Sequence, residues 1–445
     1  MPSEQIQLED NLILRSATPD DAEQVIALNR LVHGDQEKNE LNEEIAIWTT
    51  DLIAGYNKAI SPSDFTIVED TSTGNIVSTI CLMSQTWNIG GIDTPMGMPE
   101  LVGTHPDYRR RGLVRKQFDL MHKWSADRGQ LFNTIMGIPN YYRQFGYEYA
   151  INAYGGSTTT LELLKQVSLK NDEQVPFTAR DAERSDAKFI SDTYKNVHER
   201  GFITVNRTPQ IIENELFERT EGSVWNWRAR ILEKEGKPVG VYIYALEKKG
   251  EKGFRVDVFE IDSSVNWLDA SKSMLIDLQS LGKQFNSEIK IKAELFEFSF
   301  GQSHPIYRIY KEPLGPENKP YAWYVRVGDM AKLLKHLSPL FEKRLADSEL
   351  RGWSGDAKIS FYNDGVSMSF ESGKLISVES TGFIERSDAV AHYPDLTFLQ
   401  ALFGNRSFSQ LSEIHNDCSA KDHAMGTLQD TLFGGPMTSA VLQVS

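Results

Sequence analysis

Five cationic side chains surround one glycine in the segment THPDYRRRGLVRKQF, residues 104–118. They are Arg109, Arg110, Arg111, Arg115 and Lys116, and the glycine is Gly112. The preceding residues, PELVGTH (99–105), have the composition of a strand, and from about Gly112 to Arg128 apolar residues recur at helical spacing. The sequence therefore predicts a strand, a tight loop and a helix in direct succession, as in folds that alternate strands with helices.

Such a loop has the properties of an anion site. A helix that begins after a glycine-containing loop offers free N–H groups and the positive end of its dipole, and arginine can hold phosphate oxygens in pairs. A pyrophosphate or a 3′-phosphate would suit it. The loop has neither the GKS or GKT of a Walker A loop nor the further glycines of a Rossmann loop. The alternative interpretation is a solvated basic helix start.

The totals narrow the function classes. With 445 residues, the chain has room for about two to four domains. Its formal net charge of −15 argues against nonspecific nucleic-acid binding. The two cysteines, Cys81 and Cys418, have no CxxC neighbour, and the histidines form no HxxxH or HExxH pair, so we expect no metal site. The sequence shows no signal peptide and no membrane span, which predicts a cytoplasmic protein with no membrane partner.

The first 150 residues alternate predicted strands and helices. LILRSA is a strand followed by a helix, residues 64–89 form two strands around a turn at 72–75, and LFNTIMGI (131–138) is a further strand. NYYRQFGYEYA then predicts a short helix and a last strand. This order indicates an α/β fold with a mixed sheet.

A second unit begins near Val175 and echoes the first. Arg15, Ala17, Asp21 and Ala22 recur as Arg180, Ala182, Asp186 and Ala187, at a constant offset of 165 residues. The segment 138–149 has a fainter counterpart at 304–313. The pattern indicates a duplication, although four matches could also arise by chance. The second unit also has a hairpin and a helix at about 266–284, but nothing like RRRGLV.

A third composition begins after the predicted linker KEPLGPENKP (311–320). YAWYVRV predicts a strand, and DMAKLLKHLSPLFEKRLA predicts one amphipathic helix. Alternating strands follow, with turns at Asp364–Gly365 and Ser372–Gly373, and two helical segments at about 395–404 and 407–415 close the domain. The predicted domains are residues 1–155, 175–312 and 320–445.

The cationic loop resembles the acetyl-CoA loop of the GNAT N-acetyltransferase superfamily. The motif Arg109-x-x-Gly112-x-Val114 follows the pattern Arg/Gln-x-x-Gly-x-Gly/Ala, although Val114 departs from the small third residue. About 25 residues later, YYRQFGYEY resembles the tyrosine-bearing helix and the following strand of that superfamily. In layout, nearly the whole chain is similar to the Eis (enhanced intracellular survival) group, while its sharp motifs lie within residues 99–149.

The resemblance implies a fold and an activity. It implies tandem GNAT-like α/β folds with mixed sheets, the second degenerate, followed by an α+β domain similar to a sterol-carrier protein. The Eis group transfers acetyl from acetyl-CoA to amines, including aminoglycosides and lysine side chains, and assembles as hexamers. We therefore expect acetyl-CoA as the donor, a small-molecule or peptide amine as the acceptor, and a homo-oligomer. Two alternatives stay open: a larger acyl donor, and a non-catalytic protein with a relic GNAT unit whose third domain binds an apolar ligand such as a lipid.

By resemblance, the coenzyme site has three parts. A strand would pair with the pantetheine arm, the cationic loop would hold the pyrophosphate, and the end of the next strand would face the coenzyme. The residues concerned are, in that order, Leu101, Val102, Gly103 and Thr104; Arg109, Arg110, Arg111, Gly112, Leu113 and Val114; and Gly137 and Ile138.

The resemblance also assigns the proton transfers. Tyr142 aligns with the tyrosine that protonates the departing thiolate, which a phenol with a pKa of about 10 can do; Tyr141 is the alternative. For the base, the resemblance implies the terminal α-carboxylate, here that of Ser445, although the aromatic terminal residue of the Eis group is absent. Glu100, just before the strand residues, is the rival base because it could reach the amine through a water.

Overall fold

The computed structural model describes residues 5–53, 60–153, 155–170, 173–224, 226–247, 253–288, 295–394, 396–434 and 439–440. The chain divides into two compact units. The first contains the described residues of 1–151 and 322–437, and the second contains those of 152–321 and 438–445. None of the described helices is long and apolar enough to cross a membrane.

Residues up to 153 alternate strands and helices, as the sequence predicts. Short 3-10 turns precede α1, β3 and α3, and another, Tyr142–Phe145, precedes β7. The elements are β1 Ile6–Gln7, β2 Leu12–Ser16, α1 Ala22–Val32, α2 Glu43–Ile53, β3 Phe65–Asp70, β4 Asn75–Ile89, β5 Ile92–Thr104, α3 Leu113–Asp127, β6 Phe132–Ile135 and β7 Glu148–Ala153.

The middle of the chain repeats this alternation. Its one long helix follows the third strand of a hairpin meander. The elements are β8 Gly156–Thr160, α4 Leu161–Leu164, β9 Thr178–Asp181, α5 Ala187–Tyr194, β10 Ile203–Val205, α6 Pro209–Glu213, β11 Trp227–Lys234, β12 Lys237–Glu247, β13 Gly253–Ile261, α7 Trp267–Glu288, β14 Leu295–Phe298, α8 Ile306–Ile309, α9 Lys311–Leu314 and β15 Glu317–Asn318.

The described residues of the last part begin with a strand, contain five helices and end with a short strand. The elements are β16 Tyr321–Arg326, α10 Met330–His336, α11 Ser338–Ala346, β17 Gly355–Ser360, β18 Gly365–Glu371, β19 Lys374–Thr381, β20 Ala391–His392, α12 Thr397–Leu402, α13 Phe408–Ile414, β21 Ser419–Ala420, α14 His423–Phe433 and β22 Ser439–Ala440. Strands β17 to β21 form a sheet of their own, in the order β19-β18-β17-β20-β21.

The large sheets of the two units have the same strand order. The first runs β7-β16-β6-β5-β4-β3-β2, with β1 beside β2, and the second runs β15-β8-β14-β13-β12-β11-β9. One parallel pair occurs at the same place in each, β5 with β6 and β13 with β14. In each sheet one strand comes from a distant part of the sequence: β16 lies between β6 and β7, and β8 lies between β14 and β15. The mixed α/β fold class is confirmed.

The residues of the sequence echo form equivalent ion pairs. Arg15 donates to both carboxylate oxygens of Asp21, at 2.7 and 2.8 Å, and Arg180 donates to Asp186 at 2.7 and 2.9 Å. A second carboxylate, from the neighbouring strand, completes each group: Glu69 on β3 and Glu233 on β11. The repeated residues therefore tie β2 to the start of α1 in the first unit and β9 to the start of α5 in the second.

Three local predictions differ from the structure. The predicted linker at 311–320 instead contains α9 and β15, and β15 pairs with β8. The single amphipathic helix is two helices, because Pro339 cannot donate a backbone hydrogen bond and α11 restarts at Ser338. The closing pair of helices, α12 and α13, is followed by a third, α14. The division into three domains remains a prediction.

Candidate active site

The candidate site is a cleft where two parallel strands part. Strands β5 and β6 are paired only at Met96 with Phe132 and at Gly97 with Asn133. Beyond that point the strands diverge, and a cleft of about 860 Å³ opens. All twelve predicted coenzyme residues line it, together with Glu100 and Tyr142. The predicted residues therefore come together at one place, and their roles remain predictions.

One wall of the cleft is a bulge in β5. Thr79 of β4 faces Gly103 and Cys81 faces Glu100, so that two residues of β5 oppose one residue of β4. Leu101 takes a φ of 53°, which is uncommon for a leucine and costs conformational energy. A bulge of this kind interrupts the ladder and turns backbone groups away from the partner strand. The interrupted ladder gives β5 backbone groups that an extended ligand could pair with.

A buried hydrogen-bond network lies beneath this wall. The hydroxyl of Ser78 is 2.6 Å from Oε1 of Gln117 and 2.8 Å from Oγ1 of Thr104. Gln117, on α3, donates from Nε2 to the carbonyl oxygen of Thr66 at 3.0 Å. The network joins β3, β4, β5 and α3. Because a buried network with satisfied hydrogen bonds is rigid, it holds the end of the bulged strand β5 in place.

The cationic loop forms one end of the cleft. The first residue before α3 is Gly112, whose φ of 73° suits glycine and whose missing side chain leaves the first N–H groups of the helix uncapped. Arg109 donates to Gln36 at 3.1 Å, and Arg111 pairs with Asp10 at 2.6 Å. Among the described residues, no partner is seen for Arg110. The loop thus combines free helix-start donors with at least one uncommitted guanidinium group.

Tyr142 lies in the wall formed by the next strand. It begins the 3-10 turn after β6 and is only 5% exposed. Its ring lies so close to Gly137 that a Cβ there would be 2.9 Å from Cε2, so glycine is required by space. Burial raises the pKa of Tyr142 above its usual range, and the charge of Glu100 adds to the rise. The phenol is therefore protonated at neutral pH, as a proton donor must be.

Of the three other candidates for proton transfer, two line the cleft and one lies outside the described residues. Tyr141 also lines the cleft and is less buried than Tyr142. Burial raises the pKa of Tyr141, and the positive charge of Arg115 partly offsets this rise. Glu100 lines the cleft, and its charge acts on Tyr142. Ser445 lies outside the described residues.

Sequence reasoning missed the side of the cleft that α1 and α2 provide. Val32, His33, Ile45 and Trp48 line it. Nε2 of His33 and Nε1 of Trp48 are buried and lack a hydrogen-bond partner within the described part of the chain. Burial lowers the pKa of His33, so its imidazole is neutral at pH 7. These residues belong to no motif, and no signal in a single sequence would have singled them out.

Comparison with known proteins agrees with this geometry. Residues 14–150 match the family model described as acetyltransferase (GNAT) domain, which confirms the resemblance for that part of the chain. A comparison with curated proteins found no match. No group of acidic, cysteine or histidine residues suited to a metal ion occurs among the described residues.

Several solved structures share the fold over nearly the full length. A probable N-acyltransferase from Enterococcus faecalis V583 is 15% identical, with a TM-score of 0.68 over 98% of this chain and 100% of that chain. A GCN5-related N-acetyltransferase from Anabaena variabilis is 14% identical, with a TM-score of 0.66 over 95% and 97%. Eis1 from Mycobacterium abscessus is 14% identical, with a TM-score of 0.60 over 96% and 99%. By fold and by family match, the part of the chain that builds the cleft is similar to an acetyltransferase (GNAT) domain.

Proposed function

We propose that the protein is an N-acetyltransferase that transfers acetyl from acetyl-CoA to a primary amine by direct attack. One observation carries the proposal. A single cleft joins an uncapped, arginine-rich helix start at one end to a protonated, buried phenol in its wall. The helix start suits the phosphates of coenzyme A, the bulged strand suits the pantetheine arm, and the phenol suits the thioester.

In the proposed reaction the amine nitrogen attacks the carbonyl carbon of the thioester. The new C–N bond forms, and the C–S bond of the tetrahedral intermediate then breaks. A base removes a proton from the nitrogen, and Tyr142 donates its proton to the departing thiolate and regains one from solvent. The acceptor is proposed as an aminoglycoside-, polyamine- or lysine-like amine, and the base as Glu100 or the α-carboxylate of Ser445.

The coenzyme part is tested by calorimetric titration of acetyl-CoA and CoA. Replacement of both Arg110 and Arg111 by alanine should weaken CoA binding about 10²- to 10⁴-fold, since charge-assisted hydrogen bonds contribute about 1.5–3 kcal/mol each and about 1.4 kcal/mol corresponds to a factor of ten. Arg184→Ala, an exposed arginine of the second unit paired with Glu213 and Glu218, is the matched control and should bind CoA as the wild type does. A wild-type protein that does not bind CoA would refute the proposal.

The two candidate bases are separated by a pair of variants. Glu100→Gln should lower kcat with little change in CoA binding if Glu100 accepts the proton, by about 10²–10⁴-fold. A chain shortened by its last few residues should do so if the terminal carboxylate is the base. Steady-state kinetics at saturating acetyl-CoA decide between the two. Full activity in both variants would assign the role to water or to another group.

We also propose that the second unit is a degenerate GNAT-like fold. The support is its identical strand order, its parallel pair at the same place and the repeated Arg–Asp ion pair. A sterol-carrier-like domain at 320–445 and a hexameric assembly are proposals that rest on the resemblance. Light scattering after size-exclusion chromatography would test the assembly.

A further inference from the structure

A tyrosine from far along the chain reaches the loop that carries Tyr142. Strand β16 lies between β6 and β7, and its Tyr324 faces Ile135 of β6. Tyr324 is fully buried. Its hydroxyl oxygen accepts the backbone N–H of Asn140, with an N to O distance of 2.6 Å. This hydrogen bond spans 184 positions of sequence and ends two residues before the proposed proton donor.

The loop at Asn140 fixes the place of the Tyr142 ring. The backbone of Asn140 is in the left-handed region, with a φ of 65°, a conformation that asparagine tolerates but that needs support. Before Asn140 in the sequence, Gly137 packs against the ring of Tyr142. After it, the 3-10 turn begins at Tyr142. A shift of this loop would therefore move the phenol relative to the thioester.

The ring and the hydroxyl of Tyr324 make different contacts, and a substitution can remove one set without the other. The ring stacks on Tyr149, with centroids 3.8 Å apart, and meets Tyr142 edge to face at 5.6 Å. A phenylalanine would keep both contacts. The bond to Asn140 is the contribution of the hydroxyl to the loop, because a buried N–H needs a partner.

We infer that Tyr324 is a positioning residue for proton donation by Tyr142, acting through its hydrogen bond to the Asn140 amide. The inference rests on the proposed function, in which Tyr142 is the acid. Tyr324 does not line the cleft, so it acts on the reaction through the loop rather than by touching substrate.

The first test is Tyr324→Phe, with acetyl transfer measured against CoA affinity. Because displacement of a catalytic group by about 1 Å can cost about 100-fold in rate, we expect kcat to fall about 10- to 100-fold. CoA affinity should fall far less than kcat, since the phosphates are proposed to bind at Gly112 and the start of α3, which are not part of the loop at Asn140. The matched control is Tyr393→Phe, which removes another buried tyrosine hydroxyl, bonded to Gln429 at 3.1 Å, and should leave kcat unchanged.

A double-mutant cycle then distinguishes positioning from general loss of stability. If Tyr324 acts through Tyr142, the Tyr142→Phe, Tyr324→Phe protein should be no slower than Tyr142→Phe alone. Multiplying losses would overturn the inference, as would unchanged kcat in Tyr324→Phe. These outcomes presuppose an active wild type; a wild type that transfers acetyl to no amine would instead refute the proposed function.

A measurement on the unmodified protein covers the case in which Tyr324→Phe does not fold. Hydrogen exchange of the Asn140 amide should be slow, because its N–H is bonded to a buried hydroxyl. Exchange at the rate of an unprotected amide would show that the bond is not formed and would overturn the inference.

Discussion

The two units build the same sheet around different interiors. In the first, β5 and β6 separate after two paired residues and leave a cleft. In the second, β13 and β14 pair over four residues, from Gly253 to Val256 on β13. Beyond them, the ring of His304 lies 4.6 Å from Phe300, 4.8 Å from Trp267 and 5.7 Å from Phe259. Aromatic packing thus occupies the place where the first unit has an opening.

The tyrosines that follow the parallel strands β6 and β14 also differ. Tyr307 lies 165 positions after Tyr142, at the offset of the repeat. Its hydroxyl donates to the carbonyl oxygen of Phe298 at 3.0 Å and accepts from the N–H of Phe300 at 3.4 Å. Tyr142 instead lines an open cleft. The same residue type is a structural brace in one unit and a candidate acid in the other.

The helix starts complete the contrast. Gly112 leaves the first N–H groups of α3 without a side-chain cap. At the start of α7, the N–H of Asp269 donates to Oδ1 of Asn266 at 2.9 Å, and Nδ2 of Asn266 donates to the Asp269 carboxylate at 2.8 Å. A helix start capped by its own side chains has fewer donors for an anion. The two units thus share a strand order, while buried side chains and helix caps decide whether a cleft with free backbone donors is left open.

The largest effect that would test this comparison comes from the paired tyrosines. Tyr142→Phe should lower kcat about 10²–10⁴-fold, because the thiolate then leaves without its proton donor, while CoA affinity is retained. Tyr307→Phe should leave kcat unchanged and lower the free energy of unfolding by about 1 kcal/mol through the lost hydrogen bond. Steady-state kinetics and denaturant unfolding measure both. Equal kinetic losses in the two variants would contradict the assignment of different roles.

The aromatic filling of the second unit supplies the next test. Phe300→Ala should cost about 3–5 kcal/mol of unfolding free energy, since it removes a buried ring from a packed cluster. It should create no second CoA site, because the start of α7 remains capped. Calorimetry should give one CoA per chain in both proteins. A stoichiometry of two in the variant would mean that packing alone suppresses the second site.

The smallest effect concerns a carboxyl group buried in the second unit. Burial raises the pKa of Glu260 to about 7, and the charge of Arg200 opposes the rise. The folded protein therefore keeps this proton to a higher pH than the unfolded chain, whose carboxyl titrates near 4.5. The free energy of unfolding therefore decreases as the pH rises from about 4.5 to about 7. Glu260→Gln should gain thermal stability relative to the wild type over that interval, and a constant difference would contradict the burial effect.

Much of the fold and of the candidate site was predictable because the signals are local. The strand, loop and helix around Gly112 occupy thirty consecutive residues, and Tyr142 follows at a spacing that a family pattern preserves. The hairpins β3–β4 and β17–β19 were predicted from alternating residues and from turns at glycine. In each case the residues that decide the structure lie next to one another in the chain.

What was missed depends on contacts between distant residues. The strand YAWYVRV was recognised, but its pairing with β6, and so the place of Tyr324, depends on a sheet 190 positions earlier. The polar composition of 311–320 predicts a linker, although backbone pairing with β8 orders it. His33 and Trp48 reach the cleft only because α1 and α2 pack beside it. Composition and periodicity carry no information about such partners.

The position of β16 between β6 and β7 has a consequence for synthesis on the ribosome. The sheet that holds the cleft needs β16, which is made about 170 residues after β7 ends. At about 5–20 residues per second, that interval is on the order of ten to thirty seconds. During it the edge of β6 has no neighbour on that side, and an unpaired edge invites association with other chains. A nascent chain therefore has to protect this unfinished sheet until β16 has been translated.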